Sequence, residues 1–395
     1  MVIANARIPS ERAHPLQIMH MAGAFAGKVN HVTLAYARRA NTAAMNAITN
    51  PFEYAGVTQT FNLIGLPCID AVKRVTIDWP ALNRAPVRIG AHLLQLWTFT
   101  IAAALMIKRW DPDIVISRDL LPLTILRMLV GRTTRFGFEA HTVPQSRLSI
   151  ALHRWAARRM DGIVTITEGL RQWYLETGFD PARVLTAADA VDLASFNQNS
   201  RSDARRDLNI RFEAPVACYI GHLYPWKGVD ILVAAARATD PKVQWYIVGG
   251  LEPDLDRIRK SAAGHPNIHI TGHLSPTLAR QYLIASDVAV LPFTAHETIA
   301  RDHTSPLKLF EYMAAERPIV ASNLPSLREI LRDGENAILV TPDDPEMLGA
   351  AVTRVLNDQN LAHRLARTAR AEVEKRTWSN RAGLILEFLQ SSRPE

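Results

Sequence analysis

Residues 303–322, HTSPLKLFEYMAAERPIVAS, gather in one short segment the groups that can hold an anion and a sugar hydroxyl. Ser305-Pro306 reads as a helix start, because serine can cap and proline suits the first helical position, where its missing N–H costs nothing. The amides through Leu307 then lack helical partners and sit at the positive end of the helix dipole, which makes an anion site. Lys308, one turn in, reaches the same anion. Glu311 follows Ser305 by six residues and is placed to accept hydrogen bonds from a sugar hydroxyl. A second set lies upstream in Gly221-His222-Leu223 and Trp226-Lys227-Gly228. Gly221 ends a strand and admits close approach of a ligand, and Lys227, at a strand-to-helix loop, can neutralise a phosphate. Taken singly, these are also the marks of an ordinary capped surface helix and an exposed loop lysine; Lys227 and Lys308 together favour a diphosphate.

The elements that must position these groups alternate along the whole chain. Val2 to Ala6, Val32 to Tyr36, Ile114 to Ser117, Arg135 to Phe138 and Gly162 to Ile166 read as strands, with helices at 15–26, 89–107 and 149–160 and another from Thr167 to about Gly178. The strand and turn at 184–192 close this half. Residues 40–85 are weakly patterned and give no firm elements. A polar linker with a short helix follows at 197–213, and the alternation then restarts. Strands at Val216 to Ile220, Val243 to Val248, Ile268 to Thr271, Val288 to Leu291, Ile319 to Ala321 and Ala337 to Val340 are separated by helical segments, with a last one at 345–357. The tail from Trp378 to Gln390 is helical and apolar on one side. This pattern predicts two doubly wound α/β domains with parallel sheets. Residues 89–107 carry no charged residue and approach the length of a membrane span. Their His, Gln and Thr residues, and the buried strand that follows, favour a buried or half-buried helix, with an interfacial helix as the alternative.

The chain has 395 residues and a formal net charge of +7. Residues 1–195 hold 21 Lys+Arg against 14 Asp+Glu, whereas residues 196–395 hold 24 of each, so the whole surplus lies in the first half. Basic clusters at Arg127 to Arg135 and at Arg154, Arg158 and Arg159 suit a membrane surface or a phosphorylated acceptor, or are a solvated basic face. No aromatic-interleaved basic groove points to nucleic acid. Cys68 and Cys218 lie in apolar runs and read as buried free thiols of a cytoplasmic protein. The N-terminus reads directly as a strand and lacks the layout of a signal peptide. Asp111-Pro112-Asp113 precedes a strand and reads as a turn. No Walker motif, G-x-G-x-x-G, serine nucleophile elbow or metal-ligand spacing occurs.

The segment around Lys308 resembles the nucleotide-sugar-binding segment of family 4 retaining glycosyltransferases of the GT-B fold, and the resemblance extends over nearly the whole chain, most strongly over 216–342. It implies two Rossmann-like domains facing a cleft: an acceptor-side domain at 1–193, a donor domain at 194–375, and a C-terminal helix at 376–395 that returns to the first domain. It implies a nucleoside-diphosphate sugar of the UDP or GDP type as co-substrate, no other cofactor and no metal, with a glycan or lipid-linked acceptor. Glu311 matches the ribose-binding Glu of the family; the Glu expected eight residues earlier is replaced by His303. The diphosphate-binding pair of the family retains Lys227 but has His222 where an Arg is usual. Gly249 matches the turn beside the base, Leu274 the base-contacting stretch, and His141 a histidine that faces the donor sugar; Glu139, two residues before it, reads as its partner or as a carboxylate at the edge of the core. Arg7 and Glu11, after the first strand, match acceptor-side positions. The implied activity is retaining hexosyl transfer in glycan, polysaccharide or glycolipid synthesis, in the cytoplasm and at the inner face of the membrane. Two alternatives share the scaffold: a nucleotide-sugar epimerase, whose proton-transfer set is not found, and a non-catalytic nucleotide-sugar-binding protein, which the two histidine replacements would suit.

Overall fold

The computed structural model describes residues 1–71, 85–130, 133–197 and 200–391. The chain divides into two compact units. Unit 1 comprises Met1–Ile166, Leu170–Ala187 and Ala382–Glu395, and unit 2 comprises Thr167–Gly169 and Ala188–Arg381.

Unit 1 is built on strands β1 (Val2–Ala4), β2 (Thr33–Ala37), β3 (Asn62–Leu66), β4 (Ile114–Ser117), β5 (Arg135–Ala140), β6 (Gly162–Thr165) and β7 (Val184–Thr186). They form one sheet in the order β3-β2-β1-β4-β5-β6-β7, with every pairing parallel. Its helices are α1 (Ala13–Ala26), the short α2 (Ala43–Asn46) and α3 (Pro51–Ala55), α4 (Ala85–Trp110), α5 (Leu120–Leu129), α6 (Arg147–Ala157) and α7 (Glu168–Glu176). Helices cover both sheet faces, so the central strands are apolar throughout rather than alternating. The connection from β3 to β4 runs back across the sheet. Right-handed crossovers therefore put α4, α5 and α6 on one face and α1 on the other. On that first face Phe99, Ala103 and Ile107 of α4 join a core with Phe136 and Ile163.

Unit 2 repeats the architecture with β8 (Val216–Ile220), β9 (Gln244–Val248), β10 (Ile268–Gly272), β11 (Val288–Leu291), β12 (Ile319–Ser322) and β13 (Ile338–Val340) in the order β10-β9-β8-β11-β12-β13, again all parallel. Its helices are α8 (Arg201–Asp207), α9 (Val229–Ala238), α10 (Asp254–Ser261), α11 (Pro276–Ala285), α12 (Leu307–Ala314), α13 (Pro325–Arg328), α14 (Pro345–Asn357) and α15 (Gln359–Val373). Helix α16 (Trp378–Ser391) ends the described chain, and its residues from Ala382 count with unit 1. There Leu389 packs against the side-chain-free positions Gly137 and Gly162, and its carbonyl accepts from Arg135 Nη1 at 2.6 Å.

Several expectations shift. The 89–107 helix runs longer, over Ala85–Trp110, and is half-buried. The weakly patterned 40–85 stretch contains α2, α3 and β3, while 72–84 lies outside the described residues. The segment read as linker belongs partly to the core of unit 2. Arg205 of α8 is fully buried and donates to the carbonyls of Ala285, Arg211, Phe212 and Ala214 and to Asp287. A long polar side chain is tolerated there because every donor group finds an acceptor. Cys218 is buried, but Cys68 is only half-buried, and both are free thiols.

Candidate active site

In open parallel sheets, ligands bind outside the carboxyl ends of the strands where the strand order reverses. In unit 2 that point lies between β8 and β11, and the predicted residues converge on it. β8 runs directly into Gly221. The loop beyond it makes a 3-10 turn at Pro225–Lys227, and Gly228 begins α9 with φ of +66°. A Cβ at Gly228 would lie 1.7 Å from the Pro292 carbonyl oxygen at the end of β11, so only glycine permits this approach. The Thr294 amide donates to the Trp226 carbonyl at 3.2 Å and ties the two loops together. Gly249, after β9, has φ of +115° and packs backbone to backbone on Gly221, while its amide donates to Gly272 at 2.9 Å.

Lys227 is half-buried, with Nζ 3.9 Å from the Trp226 ring centroid and 4.1 Å from that of Phe293. Burial, and then the positive charge of Lys308, push its pKa down to about 7. Among the described residues no carboxylate forms an ion pair with Lys227. The ring faces attract its ammonium but do not neutralise it. This is a cation short of a counter-ion, and an incoming anion would restore its charge.

Helix α12 supplies the other predicted groups. Its start corrects the expected cap: Pro306 is the N-cap residue, the first helical residue is Leu307, and no side chain caps the turn. Ser305 Oγ instead accepts from the Asp189 amide at 3.1 Å. The buried face of the helix is Leu309, Phe310, Tyr312 and Met313, with Leu307 only half-buried. Lys308 Nζ donates to Glu311 Oε2 at 2.6 Å, one turn apart. The Ile220 amide donates to the buried Tyr312 hydroxyl at 2.8 Å and fixes α12 to the end of β8. Gly221, Lys227, Lys308 and Glu311 are thus held on one framework.

The remaining predicted residues are less convergent. His222 stacks on Tyr224 with ring centroids 5.0 Å apart, and Tyr219 Oη donates to the His222 carbonyl at 2.6 Å. Leu274 packs on the core cluster that also takes Trp226. His303 ends a π-helical turn at Ile299–His303, where burial lowers its pKa. Ser326 Oγ, which donates to the Ala300 carbonyl at 2.6 Å, anchors that turn.

Unit 1 has its own switch point between β1 and β4. Arg7 follows β1 in the loop to α1, and Glu11 lies in the same loop. Arg118 follows β4 and His141 follows β5. Arg118 Nη1 donates to Gln17 Oε1 at 2.6 Å, and Nη2 meets His141 Nδ1. His141 Nε2 lies 2.6 Å from Glu139 Oε1, and Arg118 Nε lies 3.7 Å from the same oxygen. A guanidinium only donates, so Nδ1 of His141 must accept and Nε2 must carry the proton given to Glu139. This locks the neutral tautomer. His14 is half-buried beside the network, and burial, then Arg118, drive its pKa down to about 3. The sequence reading missed Arg118, Gln17 and Phe293, and it named Trp226 without a role for its ring. Only the position of Arg118 directly after a strand would have singled it out, and the ring seat of Lys227 needs a contact across loops. Among the described residues no group of three His, Cys, Asp or Glu side chains is arranged to hold a metal ion.

Two doubly wound parallel units, with an anion-ready switch point in the second, define an α/β protein of the GT-B fold. The chain belongs to the group 1 glycosyltransferases: residues 214–358 match the family Glycosyl transferases group 1, and residues 19–195 match Glycosyltransferase Family 4. It is 31% identical over 234 residues to a D-inositol 3-phosphate glycosyltransferase of Geodermatophilus obscurus, covering 55% of this chain and 50% of that protein. It therefore spans only half the length of that relative. It is 28% identical over 263 residues to a phosphatidyl-myo-inositol mannosyltransferase of Mycolicibacterium smegmatis, covering 64% of each. The fold is shared with Anabaena HepE, solved in complex with UDP-glucose, at a TM-score of 0.74 and 15% identity over 99% of both chains.

Proposed function

We propose that the chain transfers a hexosyl group from a nucleoside-diphosphate sugar, of the UDP or GDP type, to an acceptor hydroxyl with retention at the anomeric carbon. The observation that carries this reading is Lys227, held on two aromatic rings beside a second lysine at the switch point of unit 2. As the bond from the anomeric carbon to the diphosphate oxygen breaks, its electron pair stays on the diphosphate. The growing charge is met by Lys227, by Lys308 and by the first amides of α12, groups already in place before reaction. The acceptor oxygen bonds to the anomeric carbon, and its proton passes to the departing diphosphate oxygen, which holds the electron pair of the broken bond. In this reading no metal takes part. Glu311 receives ribose hydroxyls and exchanges its pairing with Lys308 for them, which releases Lys308 to the phosphates. Gly249 and Leu274 border the base, and His303 and His222 occupy places where the resembling family carries Glu and Arg. His141, oriented by Glu139 and Arg118, addresses the sugar, and Arg7 contacts the acceptor.

HepE, solved with UDP-glucose, and the curated relatives named for glycosyl and mannosyl transfer support this reading. The acceptor is a glycan or a lipid-linked molecule, met in the cytoplasm at the inner face of a membrane. The test is a donor screen by calorimetry, followed by assays for nucleoside diphosphate release with and without acceptors and by NMR of the product anomer. Release of UDP or GDP with a retained anomer is the expected outcome. Tight binding without turnover across a broad acceptor panel would instead favour a non-catalytic binder.

A further inference from the structure

Helices α4, α5 and α6 lie side by side on one face of the unit 1 sheet, and their outward sides are apolar. Fourteen of the twenty-one exposed large apolar side chains among the described residues belong to these three helices. On α4, Ile89, Leu93, Trp97, Ile101 and Leu105 recur every four residues and are 45–67% exposed. At 1.5 Å per residue this stripe is about 24 Å long. Leu121 and Met128 continue the surface on α5, and Leu148, Leu152 and Trp155 on α6. Patches of this size on soluble proteins mark interaction sites.

The charges around the stripe narrow the occupant. None of the three helices contains a single Asp or Glu. Their exposed cations are Arg88, Lys108, Arg109 and Arg147, and Arg159 stacks over the Trp155 ring at 3.7 Å. A second copy of the chain, set face to face on this surface, would oppose cation to cation with no carboxylate between them. An acidic lipid leaflet matches both properties: its acyl region receives the apolar stripe, its headgroups receive the arginines and lysines, and tryptophans favour that boundary. Although α4 is long and apolar enough to cross a membrane, its inner side, with Phe99 and Ile107 fully buried, is spent on the sheet. It can lie on a bilayer without spanning it.

We infer that the outer face of α4, α5 and α6 docks unit 1 flat on an anionic bilayer surface, the stripe from Ile89 to Leu105 entering the headgroup–acyl boundary. This deepens the lipid-linked acceptor reading and rests on the membrane contact proposed there, but not on the donor site. The test is flotation of the full chain with vesicles of phosphatidylcholine, alone and mixed with phosphatidylglycerol, at low and high salt. The wild type should float with the acidic vesicles and lose most of that binding in high salt. The double variant Trp97→Glu, Leu105→Glu should lose at least about tenfold in partitioning, and Arg88→Gln, Lys108→Gln should show a weaker loss and a smaller salt effect. All four positions are exposed, and an unchanged melting temperature verifies folding. Nucleotide binding by calorimetry should be equal in all three proteins, so loss of flotation and loss of the donor site are read separately. Wild type that stays with the soluble fraction, or a Trp97/Leu105 variant that floats as well as wild type, overturns the inference. So does a concentration-dependent dimer that the same variant abolishes, which would assign the face to a second copy.

Discussion

At the switch point of unit 1, Arg118 is already enclosed by Gln17, Glu139 and His141. At the switch point of unit 2, Lys227 rests on Trp226 and Phe293 with a second lysine as its charged neighbour. The same sheet topology thus presents its basic residue in two electrostatic states. In unit 1 the charge is balanced within the protein, and the network's effect is to hold one histidine in one tautomer. In unit 2 the charge is unbalanced, and burial makes that imbalance costly until an anion arrives. The first is a positioning device and the second a binding device, although both begin with a cation at a strand end.

Replacing the cation separates the two most strongly. Lys227→Ala should remove about 2–4 kcal/mol of transition-state stabilisation, read as a fall in kcat/KM for sugar transfer. Its melting temperature should hold or rise, because a half-buried, uncompensated charge is lost. Activity near wild type would break the comparison. Arg118→Leu should do the reverse: stability drops by about 1–3 kcal/mol in a denaturant titration, because Glu139 is left buried beside an apolar side chain. Nucleotide affinity should stay as in wild type. Glu311→Gln should be the mildest, weakening a nucleoside diphosphate about tenfold, near 1.4 kcal/mol, while inorganic pyrophosphate, for which Lys308 is then free of its partner, binds at least as well as to wild type. An equal loss for both ligands would move Glu311 from the ribose to the phosphates.

The contrast also explains what could be read from the chain beforehand. Strand positions were legible because both sheets are buried on both faces, so Ile114 to Ser117 or Val288 to Leu291 stand out as short apolar runs between turn residues. Lys227 and Lys308 were legible as candidates because each lies at a helix start, where local chemistry already suggests an anion, and Glu311 because it stands one turn beyond Lys308. Arg205 was not: a polar segment looks like a linker until the turn just after it, with Arg211, Phe212 and Ala214, and the distant Ala285 and Asp287 close around this buried guanidinium. The start of α12 was misplaced by one residue because Ser305 has a competing partner, the Asp189 amide, that only the fold supplies. The network of Arg118 was illegible for a similar reason. Its partners come from two elements, Gln17 from α1 and Glu139 with His141 from the end of β5; the pairing of Glu139 with His141 was readable, but nothing in the spacing ties that pair to Arg118 or Gln17.

The state of Lys227 is open to direct measurement. With a pKa near 7 in the unliganded protein, a bound diphosphate favours the ammonium and raises that value. Between the two pKa values the complex then holds more protons than the unliganded protein, so affinity is flat below pH 7 and falls as pH rises above it. Calorimetry of UDP and GDP binding near pH 8, in buffers of different ionisation enthalpy, reports this proton directly. Wild type should take up close to one proton per nucleotide bound, whereas Lys227→Met should bind more weakly and take up none. Equal affinity in the two proteins with no proton uptake in either would contradict the claim that this lysine is the anion-binding centre.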